Sequence, residues 1–537
     1  MLLNDNELQN SQQWESAGVV LPRFDRAAVR ERTCKAPVWL HLGAGNIFRA
    51  FPAMLQQRLL NEGLQDRGII VAEGYDHEII DKVYAPCEDL SISVTLKANG
   101  FIEKAVVASV VQSIKMDAVG FNKLKEIMKA KSLQLVSLTI TEKGYSLESG
   151  GGLLLPDVRE DMQAGPEAPK SYMGKLTALC YHRYLNGAAP LALVSMDNCS
   201  HNGTRLFQAV RHIAAKWVRN GIIDSGFLSY VQDPGRLSFP LSMIDKITPR
   251  PDDGITRMLS QAGIENMCGV VTAKNTYIAP FVNSEESEYL VIEDAFPNGR
   301  PPLDKVGVMF TDRETVNKVE KMKVCTCLNP LHTGLAVFGC LLSYRRISDM
   351  MKDKVLKTLV RVIADEGLPV VTDPGIISPA EFIDTVISTR LPNPFMPDTP
   401  QRIATDTSQK ISVRFGETIK AYIGSQTLDV TELRAIPLVL AGWCRYLVGV
   451  DDNGDEFELS PDPMLPELSP LFAGVGLGKD ADYRKILYPL LSNAVIFGAD
   501  LYKTGIAARV EEYFEMMMKD PGAVRKTLET VVLGSRF

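Results

Sequence analysis

Near the start of the chain, apolar and polar positions alternate in blocks that follow the order strand, turn, helix, strand. Positions 38–42 form a short apolar run that ends at Gly43-Ala-Gly-Asn-Ile-Phe-Arg49. From 47 to about 61, Phe51, Met54, Leu55, Leu59 and Leu60 recur at helical spacing, and 68–73 is a second apolar run. This order predicts a βαβ unit whose Gly-rich turn opens a helix. Glycines there let the backbone approach a pyrophosphate, and a helix start offers N–H donors and partial positive charge. The glycine pattern is incomplete, because Phe48 stands where a third glycine would be.

Further runs extend the same domain. Positions 90–96 alternate, with polar or small residues between apolar ones, and predict a half-buried strand. Positions 133–141 are a long β-rich run leading into Glu142-Lys-Gly-Tyr145, and 191–196 leads into Asp197-Asn-Cys-Ser-His-Asn-Gly203. In an open parallel sheet, ligands sit beyond the carboxyl ends of the strands, and both polar clusters fall there. Asp197-Asn198 also suits a helix N-cap. Segment 147–172, rich in Gly, Pro, Asp and Glu, predicts an excursion from the sheet, and 294–304, with three prolines, a linker. From about 314 onward the pattern is mostly helical: 314–328, 331–350, 352–366, 379–390, 400–413, 429–449, 482–497 and 505–519. The fold class is therefore α/β, with a Rossmann-type dinucleotide-binding domain over 1–305 and a mostly α-helical substrate domain over 306–537, the site being expected between them.

Composition narrows the function. Hydrophobic residues at 45% and charged residues at 23% are those of a soluble globular protein. A net charge of −7 with no basic stripe argues against a nucleic-acid partner. Nine scattered cysteines, an odd number, read as reduced thiols in a cytoplasmic protein. The polar, acidic first ten residues show no signal peptide. The longest apolar run, 324–344, is interrupted by Asn329, Pro330 and His332, which favours a buried core helix over a membrane span.

That interrupted run carries the candidate chemistry. Lys321-Met-Lys-Val-Cys-Thr-Cys-Leu-Asn-Pro-Leu-His-Thr333 holds lysine, asparagine and histidine in an otherwise apolar stretch. Carbonyl–alcohol redox chemistry without a metal needs such a set: a proton donor/acceptor, a neutral donor for the developing alkoxide, and an orienting group. Cys325, Cys327 and His332 could instead be metal ligands, but helical residues two apart point about 200° apart, so they converge poorly. Glu73, at the end of the second strand, is placed to bond ribose hydroxyls and repel a 2′-phosphate, favouring NAD over NADP. Asp76 could do the same, and Arg49 could reach a phosphate.

Seven motifs in order make the chain similar to the polyol-specific long-chain dehydrogenases/reductases, the mannitol dehydrogenase family. They are the loop at 43–49, Thr139-Ile-Thr-Glu-Lys-Gly-Tyr145, Asp197-Asn198 with Asn202-Gly203, Met243-Ile-Asp-Lys-Ile-Thr-Pro249, Asn329-Pro-Leu-His-Thr333, the run Arg402 to Lys410, and Ala441-Gly-Trp-Cys-Arg-Tyr-Leu447. The resemblance implies a metal-free enzyme using NAD(H) or NADP(H). It implies Lys323 as general acid/base, Asn198 and Asn329 as the alkoxide hole, and His332 as the orienting group. Asp245, Arg402 and Lys410 would line the substrate pocket. Gly43, Gly45, Asn46, Ile47, Arg49, Glu73, Thr141 and Glu142 would hold the cofactor. There are two departures. Five residues, not the family's four, separate Lys323 from Asn329; a local bulge can absorb one residue, with Asn329 as N-cap and Pro330 as first helical residue, and Lys321 is the alternative base. Lys246 replaces the usual arginine. The Asn-Pro-Leu-His-Thr variant and the chain length resemble the uronate-reducing branch. They imply fructuronate as substrate, with tagaturonate or a polyol such as mannitol or arabinitol as alternatives. No metal, nucleic acid or membrane is expected, and the chain is expected to be a monomer or small homo-oligomer. Outside the family, the competing reading is a nucleotide sensor without catalysis.

Overall fold

The computed structural model describes residues 1–479 and 481–534. The chain divides into two units, one of residues 1–97 and 101–317, the other of 98–100 and 318 onward.

The first unit is built on a six-stranded parallel sheet. Its strands are β1 (Trp39–Leu42), β2 (Ile69–Glu73), β3 (Val110–Lys115), β4 (Leu135–Leu138), β5 (Leu191–Ser195) and β6 (Leu237–Ser238), in the order β3-β2-β1-β4-β5-β6. The order reverses between β1 and β4, which opens a crevice at their carboxyl ends. The polar clusters after β1, β2, β4 and β5 therefore all arrive at one place. β1, β2, β4 and β5 are buried throughout. Successive side chains point to opposite faces, and both faces are covered. Leu40, Leu42, Ile70, Val136 and Leu193 pack on one face, with helices Ala118–Lys129, Tyr172–Leu185 and Asn202–Arg219; Trp39, Val71, Leu135 and Val194 pack on the other. This is the dinucleotide-binding architecture expected. The alternation rule had little purchase on β3 and β6, which the sequence pattern did not mark.

Two local readings change. The helix expected over 47–61 is two helices, α1 (Asn46–Ala50) and α2 (Pro52–Asn61). Phe51 leaves helical geometry at φ −131°, and Pro52, lacking an N–H, restarts the helix. The strand at 90–96 is not half-buried. Ser91–Leu96 lies inside a separate four-stranded sheet between Ile102–Val107 and Phe281–Glu285, and Ser91 and Ser93 are buried.

Phe48 also finds its reason here. It is fully buried and its ring stacks on that of His41, centroids 4.0 Å apart. His41 in turn bonds the hydroxyls of Ser137 (2.6 Å) and Thr139 (2.9 Å) on β4 and just after it. The third glycine of a dinucleotide loop serves close helix–strand packing; here an aromatic–imidazole stack joins helix to sheet instead.

The second unit is helical. The long apolar stretch forms most of a π turn at Lys323–Cys327 and of α4 (Asn329–Leu341), preceded by the polar α3 (Arg313–Met322). Among the described residues Arg313–Leu341 is the one helical stretch long and apolar enough to cross a membrane, but most of its apolar window is buried inside the protein, as expected of a core helix. Around α4 pack α5 (Lys354–Gly367), the short helix Pro400–Ala404 and α6 (Ala435–Tyr446). Glu366 near the end of α5 accepts the backbone N–H groups of Arg434, Ala435 and Ile436, so one buried carboxylate serves as N-terminal cap of α6. Helix Ala523–Leu533 was not marked by the sequence pattern.

Burial lowers the pKa of His41 from 6.5 to about 3. The sign follows directly. Below about pH 6.5 the unfolded chain binds a proton that the folded chain refuses until about pH 3, so stability falls as pH drops through that window. We expect urea melts at pH 7 and pH 5 to show a loss of stability in the native chain that is smaller in His41→Asn, which removes the titrating group. Equal losses in the two would place the acid sensitivity elsewhere.

Candidate active site

The nucleotide end of the first unit is tied together by one carboxylate. Glu73, 5% exposed at the end of β2, accepts the N–H of Ala44 through one oxygen (2.8 Å) and those of Tyr75 and Asp76 through the other (2.7 and 3.0 Å). Three of its roughly four acceptor positions are thus spent on backbone. The ribose contact expected of it has to share a group that already shapes the loop. Asp76 is also committed, accepting the Thr272 hydroxyl at 2.6 Å. Gly43 must be glycine: its φ is +106°, and a Cβ would lie 2.2 Å from the Thr139 carbonyl oxygen. Gly45 is different, with nothing within 4 Å of a Cβ built there, which leaves open space over the loop. Arg49 does not face a ligand. It is 1% exposed, donates to the Ala279 carbonyl (2.7 Å) and the Asn46 side chain (2.8 Å), and lies over the Tyr84 ring. Its guanidinium fastens α1 to the interior, which removes the phosphate role expected for it.

Four predicted residues meet in one cavity of about 290 Å³. Ile47, Thr141, Glu142 and Asn198 line it with Met196 and Lys246. Asp197 shapes this cavity rather than capping a helix: the following helix begins only at Asn202, after His201. Its carboxylate accepts the N–H groups of Ile140 and Thr141 (2.9 Å each) and the Tyr145 hydroxyl (2.5 Å). That fixes Thr141 at φ +65°, a conformation costly for a β-branched residue and found where a site is over-determined. Asn202 donates to the carbonyls of Ser195, Asp197 and Ser242, which leaves Asn198 exposed. Asp245 is buried at the end of strand Ser242–Asp245. Lys246, in the usual arginine position, bonds Glu288 (2.9 Å) and the Glu285 carbonyl (3.0 Å), a structural commitment. A loop without Cβ crowding at Gly45 and a cavity walled by Ile47 and Thr141 fit a dinucleotide.

In the second unit the extra residue between Lys323 and Asn329 is absorbed by the π turn. Leu328 N–H bonds the Lys323 carbonyl at 3.1 Å, an i→i+5 bond. Lys323 is 4% exposed. Asn329 does not cap α4: it is the helix's first residue, no side-chain cap bond forms, and Leu328 is the residue that leaves helical geometry. Cys325 and Cys327 are buried thiols, pushed up to about 11 and about 12 by that burial, so they fill space as neutral groups.

His332 lies one turn into α4. Its Nε2 is 3.5 Å from an Asp398 oxygen and has no hydrogen-bond partner. Burial lowers its pKa to about 4; Asp398 opposes the shift, and Arg390, Arg414 and Arg402 add to it, so the imidazole is neutral near pH 7. Arg402 pairs with the other Asp398 oxygen. Lys410 donates to the Thr405 carbonyl, and burial and then Arg414 lower its pKa. Sequence reading missed Asp398, Arg390 and Arg414. Two lie close in sequence to predicted residues: Asp398 is four residues before Arg402, just ahead of the helix Pro400–Ala404, and Arg414 is four after Lys410, to whose carbonyl its backbone N–H bonds. Of the four π turns among the described residues, two carry a cation of this cluster, Arg390 (Val386–Arg390) and Arg414 (Ser412–Gly416), and a third carries Lys323.

Replacing Glu73 tests the loop. A glutamine offers one acceptor oxygen and points an NH₂ at a backbone donor. Glu73→Gln should lose on the order of 1–3 kcal/mol of stability by thermal or urea unfolding and weaken NADH binding measured by fluorescence. Full stability with altered NADH/NADPH discrimination alone would assign Glu73 to the ribose only.

Two family models cover most of the chain: the mannitol dehydrogenase Rossmann domain over residues 38–305 and the mannitol dehydrogenase C-terminal domain over 315–518. The D-mannonate oxidoreductase of Thermotoga maritima is 51% identical over 536 residues, 99% of each chain. The D-mannonate oxidoreductase of Escherichia coli is 27% identical, covering 85% of this chain and 87% of its own. Among solved structures, Pseudomonas fluorescens mannitol 2-dehydrogenase, in a ternary complex with NAD and D-mannitol, matches with a TM-score of 0.68 and 26% identity, covering 100% of both chains. The protein is an oxidoreductase acting on CH–OH groups, and its chain belongs to the mannitol dehydrogenase family.

Proposed function

We propose that the protein is an NAD(H)-dependent reductase of a keto sugar acid, converting fructuronate to mannonate with a lysine general acid. The observation that carries this reading is the 51% identity, over 99% of both chains, to a protein named D-mannonate oxidoreductase. The second unit supports it: Arg390, Arg402 and Arg414, beside the Asp398 carboxylate, all act on His332, and guanidiniums are groups suited to an acid substrate.

Each group then has a task. NAD(H), held at Gly43, Gly45, Asn46, Ile47, Thr141 and Glu142, supplies the hydride when bound. As the carbonyl carbon is reduced, its oxygen takes a proton from the Lys323 ammonium. The lysine is left neutral and regains a proton from water. Asn198 and Asn329 are neutral donors for the developing alkoxide, which they hold more strongly than a ground-state carbonyl. His332, uncharged near pH 7, orients a substrate hydroxyl without adding to the positive charge. Asp245, Arg402 and Lys410 are assigned to the lining of the substrate pocket.

A side-by-side panel tests the reading: NADH- and NADPH-dependent reduction of fructuronate, tagaturonate and fructose. The highest kcat/KM is expected for fructuronate with NADH. A preference for fructose would replace this reading by a polyol dehydrogenase, and NADH binding with no turnover of any carbonyl by a sensor. Lys323→Ala should lose turnover by orders of magnitude while still binding NADH. Near-normal activity would move the proton to Lys321. Asn329→Ala should lower kcat on every substrate by an amount equivalent to about 2.7–4 kcal/mol, the usual cost of one such donor.

A further inference from the structure

We infer that Arg414, rather than Arg402, is the residue that grips the substrate's carboxylate and so sets the preference for a sugar acid over an uncharged ketose. The inference rests on the sugar-acid reading above and names the residue responsible for it.

Arg414 lies on the π turn Ser412–Gly416, which packs against the π turn Lys323–Cys327 and the start of α4. Its Nη1 donates to the Thr333 hydroxyl at 2.5 Å, and that hydroxyl donates to the Asn329 carbonyl at 2.9 Å. One short chain of hydrogen bonds thus connects Arg414 to the segment holding Asn329 and His332.

Its charge is the unusual feature. Among the described residues no carboxylate pairs with Arg414. Among the described residues the Thr333 hydroxyl is the one hydrogen-bonded partner of its side chain, so four of its five N–H donors remain for a ligand. Burial is the sole cause of its lowered pKa, with no acid opposing it. A largely buried guanidinium facing only a hydroxyl is unfavourable unless an anion completes it, and a carboxylate matches its fork with two parallel bonds.

Arg402 and Lys410 are already occupied. The Arg402 side chain is 63% exposed and is neutralised by Asp398, which also faces His332. Lys410 donates to a backbone carbonyl and has Asp406 and Asp462 among the charges acting on it. A lysine at 414 would keep the charge but not the fork.

The test measures kcat and KM for fructuronate and fructose with NADH in the native protein, Arg414→Lys, Arg414→Gln and Arg402→Ala, each first shown to be folded by its melting curve and to bind NADH. A carboxylate keeps its charge throughout the reaction, so its loss of binding appears mainly in KM. The expected result is a fall in the fructuronate-to-fructose ratio of kcat/KM of about 100-fold in Arg414→Gln, carried by KM for the acid. A smaller fall is expected in Arg414→Lys, and the smallest in Arg402→Ala. Equal losses on both substrates in Arg414→Gln, or a larger change of ratio in Arg402→Ala, would overturn the assignment. If Arg414→Gln does not fold, Arg414→Lys decides on the same criterion. A native protein with no preference for the acid would remove the sugar-acid reading itself, and the assignment with it.

Discussion

The i→i+5 hydrogen bond from Leu328 N–H to the Lys323 carbonyl is the interaction on which the candidate residues of the helical unit depend. An α-helix rotates about 100° per residue, so one inserted residue would carry a side chain well off its face. The π turn takes up that residue locally. α3 and α4 keep their packing, and Lys323 stays buried on the segment leading to Asn329. The same device recurs at Val386–Arg390 and Ser412–Gly416. A π turn is a poor structural element, tolerated where the position of a side chain matters more than regular bonding. Two of them carry guanidiniums that act on His332, Arg390 and Arg414, and the third carries Lys323, each aimed differently than a regular helix would aim it.

Electrostatics does the rest of the work in each unit by itself. In the nucleotide unit, carboxylates are turned inward onto backbone N–H groups: Glu73 on the loop after β1, Asp197 on the turn after β4. Those bonds fix the rim of the crevice and leave uncharged Ile47 and Asn198 and strained Thr141 to face the cavity. In the helical unit the balance is reversed. Arg390, Arg414 and Arg402 act on His332 against Asp398, and burial keeps that imidazole neutral. A hydrogen-bonding rim at a Gly-rich turn suits a dinucleotide, and grouped guanidiniums suit a small acid.

Much of this was legible in the sequence, and the misses have physical causes. The βαβ start could be read because β1 and β2 are buried on both faces and so appear as continuous apolar runs. Strand β3 escaped because Gln112 and Ser113 interrupt its apolar pattern. The exposed-or-buried state of Ser91 and Ser93 was misjudged because alternation does not reveal a second covering layer. The order of motifs pointed to Lys323, Asn329 and His332 as candidates, and these lie on one continuous segment, the π turn Lys323–Cys327 and α4. It could not show that Arg49 points inward, because an arginine at a nucleotide loop and one bonded to a buried carbonyl look the same in a chain of letters. Nor could it separate Arg402 from Arg414, since the difference lies in which of them Asp398 neutralises.

The central claim is that Lys323 delivers the proton. Chemical rescue tests it most directly. Lys323→Ala removes the ammonium and leaves a small void in a buried segment. Adding primary alkylamines of graded size and basicity, while following NADH-dependent reduction of fructuronate, asks whether an exogenous ammonium can take its place. The account predicts that small amines restore part of kcat in proportion to their concentration, and that tertiary amines too large for the void do not. No rescue by any amine, together with loss of activity in Lys321→Ala that amines do restore, would contradict it.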